Sequence, residues 1–165
     1  MKIDRNSYGT VALVYLICIA TALALLLFCP IVWINVPVIV FLFAFCVWQT
    51  LFFRVPRREH IGSDKIVTSV ADGKIVIIDR VYEPEFLKCD CIQVSIYMNF
   101  WDVHANFWPV SGEVKYFRYH PGKHFLAFKP KASEDNEHTS ISIETPSGEK
   151  VMFKQIAGTF ARRIV

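Results

Sequence analysis

Asp102 and His104 stand one residue apart in the stretch NFWDVHANFWPVSGEVKYF, with Phe100, Trp101, Phe107 and Trp108 around them. An imidazole among aromatic rings loses water, which disfavours its charged form and leaves a base able to exchange protons near neutral pH. The same residues equally suit a turn aspartate and a partly buried, hydrogen-bonded histidine, and the spacing alone leaves both readings open. Asp72 sits in the turn ADG, where an aspartate either caps local N–H groups or does chemistry from a rigid scaffold. His120 and His124 have the H-x3-H spacing that binds zinc on a helix, but Pro121 and Gly122 interrupt it, so no metal site is expected. Cys89 and Cys91 form a lone C-x-C without a second cysteine pair for zinc. The chain carries no G-x-S-x-G, Walker loop or dinucleotide fingerprint.

The elements that must position these residues divide sharply by composition. From Thr10 to Phe53 there is no Asp, Glu, Lys, Arg or His. About 20 apolar residues cross a bilayer as a helix, so this run suffices for two crossings. Pro30 and Pro37 bracket IVWINV, which predicts a turn there and helices over about 10–29 and 36–53. A secretory signal, with its apolar core of roughly 7–15 residues and a small-residue cleavage site, fits poorly. Lys2 and Arg5 precede the run, Arg54, Arg57 and Arg58 follow it, and the loop between is uncharged. Positive flanks stay inside, so residues 1–53 read as an anchor in the cell membrane and residues 54–165 as a cytoplasmic domain. Those arginines serve topology, and a cationic flank also suits anionic lipid headgroups.

Of 18 Lys and Arg and 15 Asp and Glu, only Lys2, Arg5 and Asp4 precede the apolar run. The following domain is thus nearly neutral, which argues against nucleic acid as a partner. Free thiols in a reducing compartment account most simply for the five cysteines. Past Pro56 the chain reads as short strands: DKIVTSV, GKIVIIDRVY, CIQVSIYM, GEVKYFRY, HFLAFKP, TSISIET and EKVMFKQIAG. CIQVSIYM alternates apolar and polar residues, and Pro146-Ser147-Gly148 marks a hairpin turn. No helical period follows residue 60. The expected fold is mainly β, an antiparallel sandwich or barrel preceded by a transmembrane helical hairpin.

Several motifs then occur in one order: FFRVPRRE, ADGKIV, QVSIYMNFWDVHANFWPVSGEVKYFRYHPGK, KASEDNE and KQIAGTFARRIV. In this order they resemble phosphatidylserine decarboxylases, most of all the small membrane-associated type, from Phe52 to the end of the chain. The resemblance implies a proenzyme in which a serine of a Gly-Ser pair cleaves its own chain and becomes a covalent pyruvoyl group on a small α subunit. That ketone forms a Schiff base with phosphatidylserine and takes up the electrons released with CO2, and hydrolysis gives phosphatidylethanolamine. By the same resemblance Asp72 matches the aspartate of the self-cleavage set, and His104 matches the histidine associated with catalysis or proton transfer.

Three positions depart from the family pattern. Phe107 stands where larger relatives carry a second histidine, which bears on whether His104 also serves self-cleavage. His138 replaces the arginine of the family's Asn-Glu-Arg. Val165 comes before the segment that carries the family's Gly-Ser pair, and Gly62-Ser63 is the chain's own Gly-Ser. The chain is therefore expected to be the β-chain portion, without the pyruvoyl-forming serine and inactive alone. A membrane-tethered lipid-binding relative without catalysis is the alternative, and a lipoyl- or biotin-carrier-like module ranks below both. The family also has relatives acting on archaeal ether-lipid serine headgroups, and nothing in these motifs reads the lipid tails.

Overall fold

The computed structural model describes residues 2–58, 66–126 and 135–165. The chain divides into two compact units, Met1–Arg58 with Phe100–Ala105, and Glu59–Asn99 with Asn106–Val165.

The first unit is built on two helices, α1 (Tyr8–Phe28) and α2 (Val32–Phe52). At 1.5 Å per residue each is about 30 Å long, the thickness of a bilayer's hydrocarbon core. Both are long and apolar enough to cross a membrane. Their apolar side chains are bare on all sides: Leu27 and Phe28 in α1, Trp33 and Phe43 in α2. A helix apolar all round is stable only in an apolar surrounding. Several polar groups between the helices are paired, while Asn35 Oδ1 and Gln49 Oε1 find no partner among the described residues. Tyr15 Oη bonds Thr50 Oγ1, and Asn35 Nδ2 donates to the carbonyls of Cys29 at 2.7 Å and Leu25 at 3.4 Å. Asn35 thus satisfies the Cys29 carbonyl, which the end of α1 leaves open, while the Leu25 carbonyl also accepts the Cys29 N–H at 3.0 Å. The turn shrinks to Cys29–Ile31, and α2 starts at Val32, so Pro37 lies inside the helix instead of opening it. Two short strands, β1 (Lys2–Ile3) and β2 (Arg54–Val55), pair antiparallel and tie the two ends of the hairpin side by side.

The second unit is antiparallel β. Strands β3 (Lys74–Glu83) and β4 (Cys89–Tyr97) form a two-stranded ribbon with a bulge between Ile75 and Ile77. Its connection is shaped by the Glu83 carboxylate, which accepts the N–H groups of Glu85, Phe86 and Leu87 at 2.7–2.9 Å. Burial works to raise the Glu83 pKa, but these three bonds and the charge of Lys154 outweigh it and hold it below the usual carboxylate range. Strands β5 (Glu113–His120), β6 (His138–Glu144) and β7 (Lys150–Ile156) form a sheet with β6 in the middle. β6 is buried from His138 to Ile143, and period-two alternation puts Ile141 and Ile143 on one face and His138, Ser140 and Ser142 on the other. Gly148, at φ 87°, closes the turn expected at Pro146-Ser147-Gly148.

The mainly antiparallel β character and the helical pair before it are as the sequence predicts. Two expected strands differ. Ile66–Val70 is irregular and bonds to the 107–109 segment, while DKIVTSV begins outside the described residues. HFLAFKP is irregular over His124–Leu126, and the rest of it lies outside the described residues, as do Gly62-Ser63 and most of KASEDNE.

Candidate functional site

The aromatic stretch around Asp102 and His104 splits between the units after Ala105, so each part is described in its own frame. In the first unit, Phe100–Ala105 lies against the C-terminal end of α2. The Phe52 ring stacks on the His104 imidazole, with centroids 4.0 Å apart and planes 25° apart. Trp48 packs against Phe52 at 5.5 Å and against Phe100 at 6.4 Å. Arg54 fastens the segment: one guanidinium nitrogen donates to the Leu51 carbonyl at 2.9 Å and the other to the Trp101 carbonyl at 3.0 Å.

His104 Nδ1 lies 3.1 Å from the Asp102 carbonyl oxygen. A carbonyl only accepts, so Nδ1 carries the hydrogen and the neutral ring presents its lone pair at Nε2. Burial lowers the His104 pKa, as does the charge of Arg54, while the Asp102 carbonyl and carboxylate partly oppose the shift. The ring is a neutral, water-shielded base whose tautomer is set by its own backbone.

Asp72 lies in the second unit, half-buried in a turn that leads into β3. Gly73 adopts φ 141°, and a Cβ there would sit 2.4 Å from the Tyr97 carbonyl oxygen, so only glycine lets the turn approach β4. The turn is tied to the segment after His104. Thr68 N–H donates to the Pro109 carbonyl at 2.9 Å, and Phe107 N–H donates to the Val70 carbonyl at 2.8 Å. Gln155 of β7 donates to Asn106 Oδ1 at 3.1 Å and accepts from Thr139 Oγ1 at 2.8 Å. Phe107 thus helps through its backbone to shape the Asp72 turn.

One charged cluster has no signal in the sequence. Glu85, in the β3–β4 connection, is the hub. Its Oε1 accepts from Tyr116 Oη at 3.0 Å and lies 2.6 Å from His120 Nε2; its Oε2 accepts from Ser140 Oγ at 2.9 Å and pairs with Lys154 Nζ at 3.0 Å. Burial alone would raise its pKa, but bonds from Lys154, His120, Ser140 and Tyr116 bring it to about 2. His138 stacks on His120 at 4.3 Å and donates from Nδ1 to the Asn136 carbonyl at 2.7 Å. His120 and His124 go to different carboxylates, the latter to Glu137 at 3.2 Å. Among the described residues no group of three His, Cys, Asp or Glu could hold a metal ion.

Fold and site together describe a mainly β protein that carries an apolar helical pair, with a desolvated histidine against the end of the second helix. A family model, phosphatidylserine decarboxylase, matches residues 43–165, and the chain belongs to that family. It is 46% identical over 117 residues to the phosphatidylserine decarboxylase proenzyme of Amoebophilus asiaticus, covering 71% of this chain and 52% of the relative. To the proenzymes of Phocaeicola vulgatus and Bacteroides fragilis it is 49% and 52% identical over 116 residues, covering 69% of this chain and 50% of each. The chain spans about half the length of the curated relatives it matches.

Proposed function

We propose that this chain is the larger, β part of a membrane-anchored phosphatidylserine decarboxylase, which converts phosphatidylserine to phosphatidylethanolamine and CO2. The observation that carries the reading is the family match over residues 43–165, with relatives named as the proenzyme of that enzyme. In this reading the helical pair is a two-span anchor, and both of its ends and the β unit lie on the cytoplasmic side, where Lys2, Arg5, Arg54, Arg57 and Arg58 belong. His104 then works at the end of a membrane helix, where a substrate that stays in the bilayer presents its headgroup.

The cofactor of this reading is a pyruvoyl group made from a serine on a small α subunit, and it supplies an electron sink for the pair left when the carboxylate departs as CO2. The donor set of this chain fits a place beside such a ketone. His104 offers Nε2 for proton exchange, and Phe52 and burial keep water from competing. We assign to Nε2 uptake of a proton from the substrate's ammonium group and its return to the substrate carbon that loses CO2, so that the ring is neutral before and after. Asp72, rigidly held in its turn, is assigned to self-cleavage on the resemblance. A covering α subunit also accounts for the β3–β4 ribbon, whose Ile75, Val76, Ile77, Ile78, Ile92 and Val94 are exposed. A two-stranded ribbon is marginal alone, and bare apolar strands call for a partner.

Intact mass spectrometry of the product of the whole gene tests the reading. Two chains are expected, the smaller blocked at its N-terminus by pyruvoyl. A single uncleaved, inactive chain would overturn it in favour of a lipid-binding relative.

A further inference from the structure

The first unit holds a second cluster that the decarboxylation chemistry leaves unused. A cavity of about 470 Å³ opens at the β1–β2 end of the helical pair, lined chiefly by Lys2, Arg5, Tyr8, Val55 and Arg57. Among the described residues none of the three cations is in an ion pair. Among the described residues the one carboxylate at the cavity, Asp4, accepts a hydrogen bond from Ser7 Oγ at 3.0 Å and offsets only one of the three positive charges. Arg54, by contrast, is consumed by the Leu51 and Trp101 carbonyls. Three uncommitted cations converge on one concave site, and Tyr8, 55% exposed, stands at the start of α1.

Like charges gathered around one cavity repel each other unless an anion joins them. Two guanidinium forks and an ammonium match the oxygens of a phosphate or carboxylate. The cavity lies at the end of two bilayer-length apolar helices, where the anions at hand are lipid headgroups, and an interfacial tyrosine suits that level. We propose that this cavity seats the headgroup of an anionic phospholipid and holds it at the end of the anchor that also carries His104. The seat selects by charge. Phosphatidylserine carries a net negative charge and the product phosphatidylethanolamine none, so the protein gathers substrate-like lipid around itself and lets product go. The inference rests on the membrane reading of the hairpin.

The test uses the full protein in nanodiscs of phosphatidylcholine with phosphatidylglycerol, an anionic lipid that is not the substrate, so the readout is independent of turnover. Native mass spectrometry measures which lipid stays bound. The wild type is expected to retain phosphatidylglycerol several-fold over phosphatidylcholine, with the preference weakening as salt rises. Lys2→Gln/Arg5→Gln/Arg57→Gln is expected to bring the preference to parity. Val55→Trp fills the cavity without changing charge and is expected to lower the preference as well. An undiminished preference in Val55→Trp would show a diffuse surface potential and overturn the seat. Displacement of the lipid by millimolar inorganic phosphate would overturn it too, as the mark of a free-anion site. Carbonate extraction of membranes separates the two readings: release of the wild type sinks the anchor itself, whereas an inserted protein without lipid preference sinks the seat alone.

Discussion

His104 concentrates the chemistry in one ring, and its surroundings fix the sign of its pH dependence. Burial against Phe52 depresses its pKa below the ordinary imidazole value of about 6.5. The unfolded chain therefore binds more protons than the folded one just below that value, and stability falls as pH drops through it. Activity carried by neutral His104 should fall on the same side, at a lower pH than an exposed histidine would give. Phe52→Ala, which readmits water, is expected to move the acidic limb of the kcat/KM profile upward; an unmoved limb would detach the limb from His104. His104→Ala is expected to reduce turnover by about 100-fold or more, the usual worth of general acid–base catalysis. Glu85 has the same sign of pH dependence, in a more acidic window. With its pKa at about 2, its contribution is complete above the unfolded carboxylate pKa and is lost as pH falls from there toward 2. Glu85→Gln is expected to cost about 3 kcal/mol at neutral pH and to shrink that acid limb, read by thermal melts across pH.

At the scale of elements, the β6 strand and the loop before it hold the second unit together. Asn136, 1% exposed, bonds the Phe125 N–H and carbonyl and the Ala157 carbonyl, all at 2.8–2.9 Å. Asn136→Leu keeps the branched shape but strands these backbone groups, and a loss of about 3 kcal/mol is expected in chemical denaturation. The helical pair was legible because an apolar run without charge has one physical use, and β3 to β7 because Val- and Ile-rich runs are punctuated by Gly and Pro. Pro37 misled the turn placement: Asn35 serves the α1 carbonyls and lets α2 begin at Val32. The Glu85 hub was invisible, since its partners Tyr116, His120, Ser140 and Lys154 come from three other strands. No local pattern marks such a meeting. For His104 the sequence offered two readings, and the α2 contact that bears on them comes from a residue far back in the chain, Phe52.

For the whole molecule, the first unit includes His104, on the segment Phe100–Ala105, and the second includes Asp72. The cytoplasmic placement is open to a direct test through Cys89, which is exposed on β4. In a variant retaining only that cysteine, a membrane-impermeant maleimide is expected to label inverted membrane vesicles and not intact cells; labelling of intact cells would reverse the topology. Decarboxylation of phosphatidylserine is the activity proposed for the whole protein. The most direct measurement supplies the product of the whole gene, in vesicles, with phosphatidylserine labelled at the serine carboxyl carbon. Labelled CO2 in step with phosphatidylethanolamine, reduced about 100-fold or more by His104→Ala, is the expected result. A cleaved, inserted protein that leaves the label in the lipid would contradict the account.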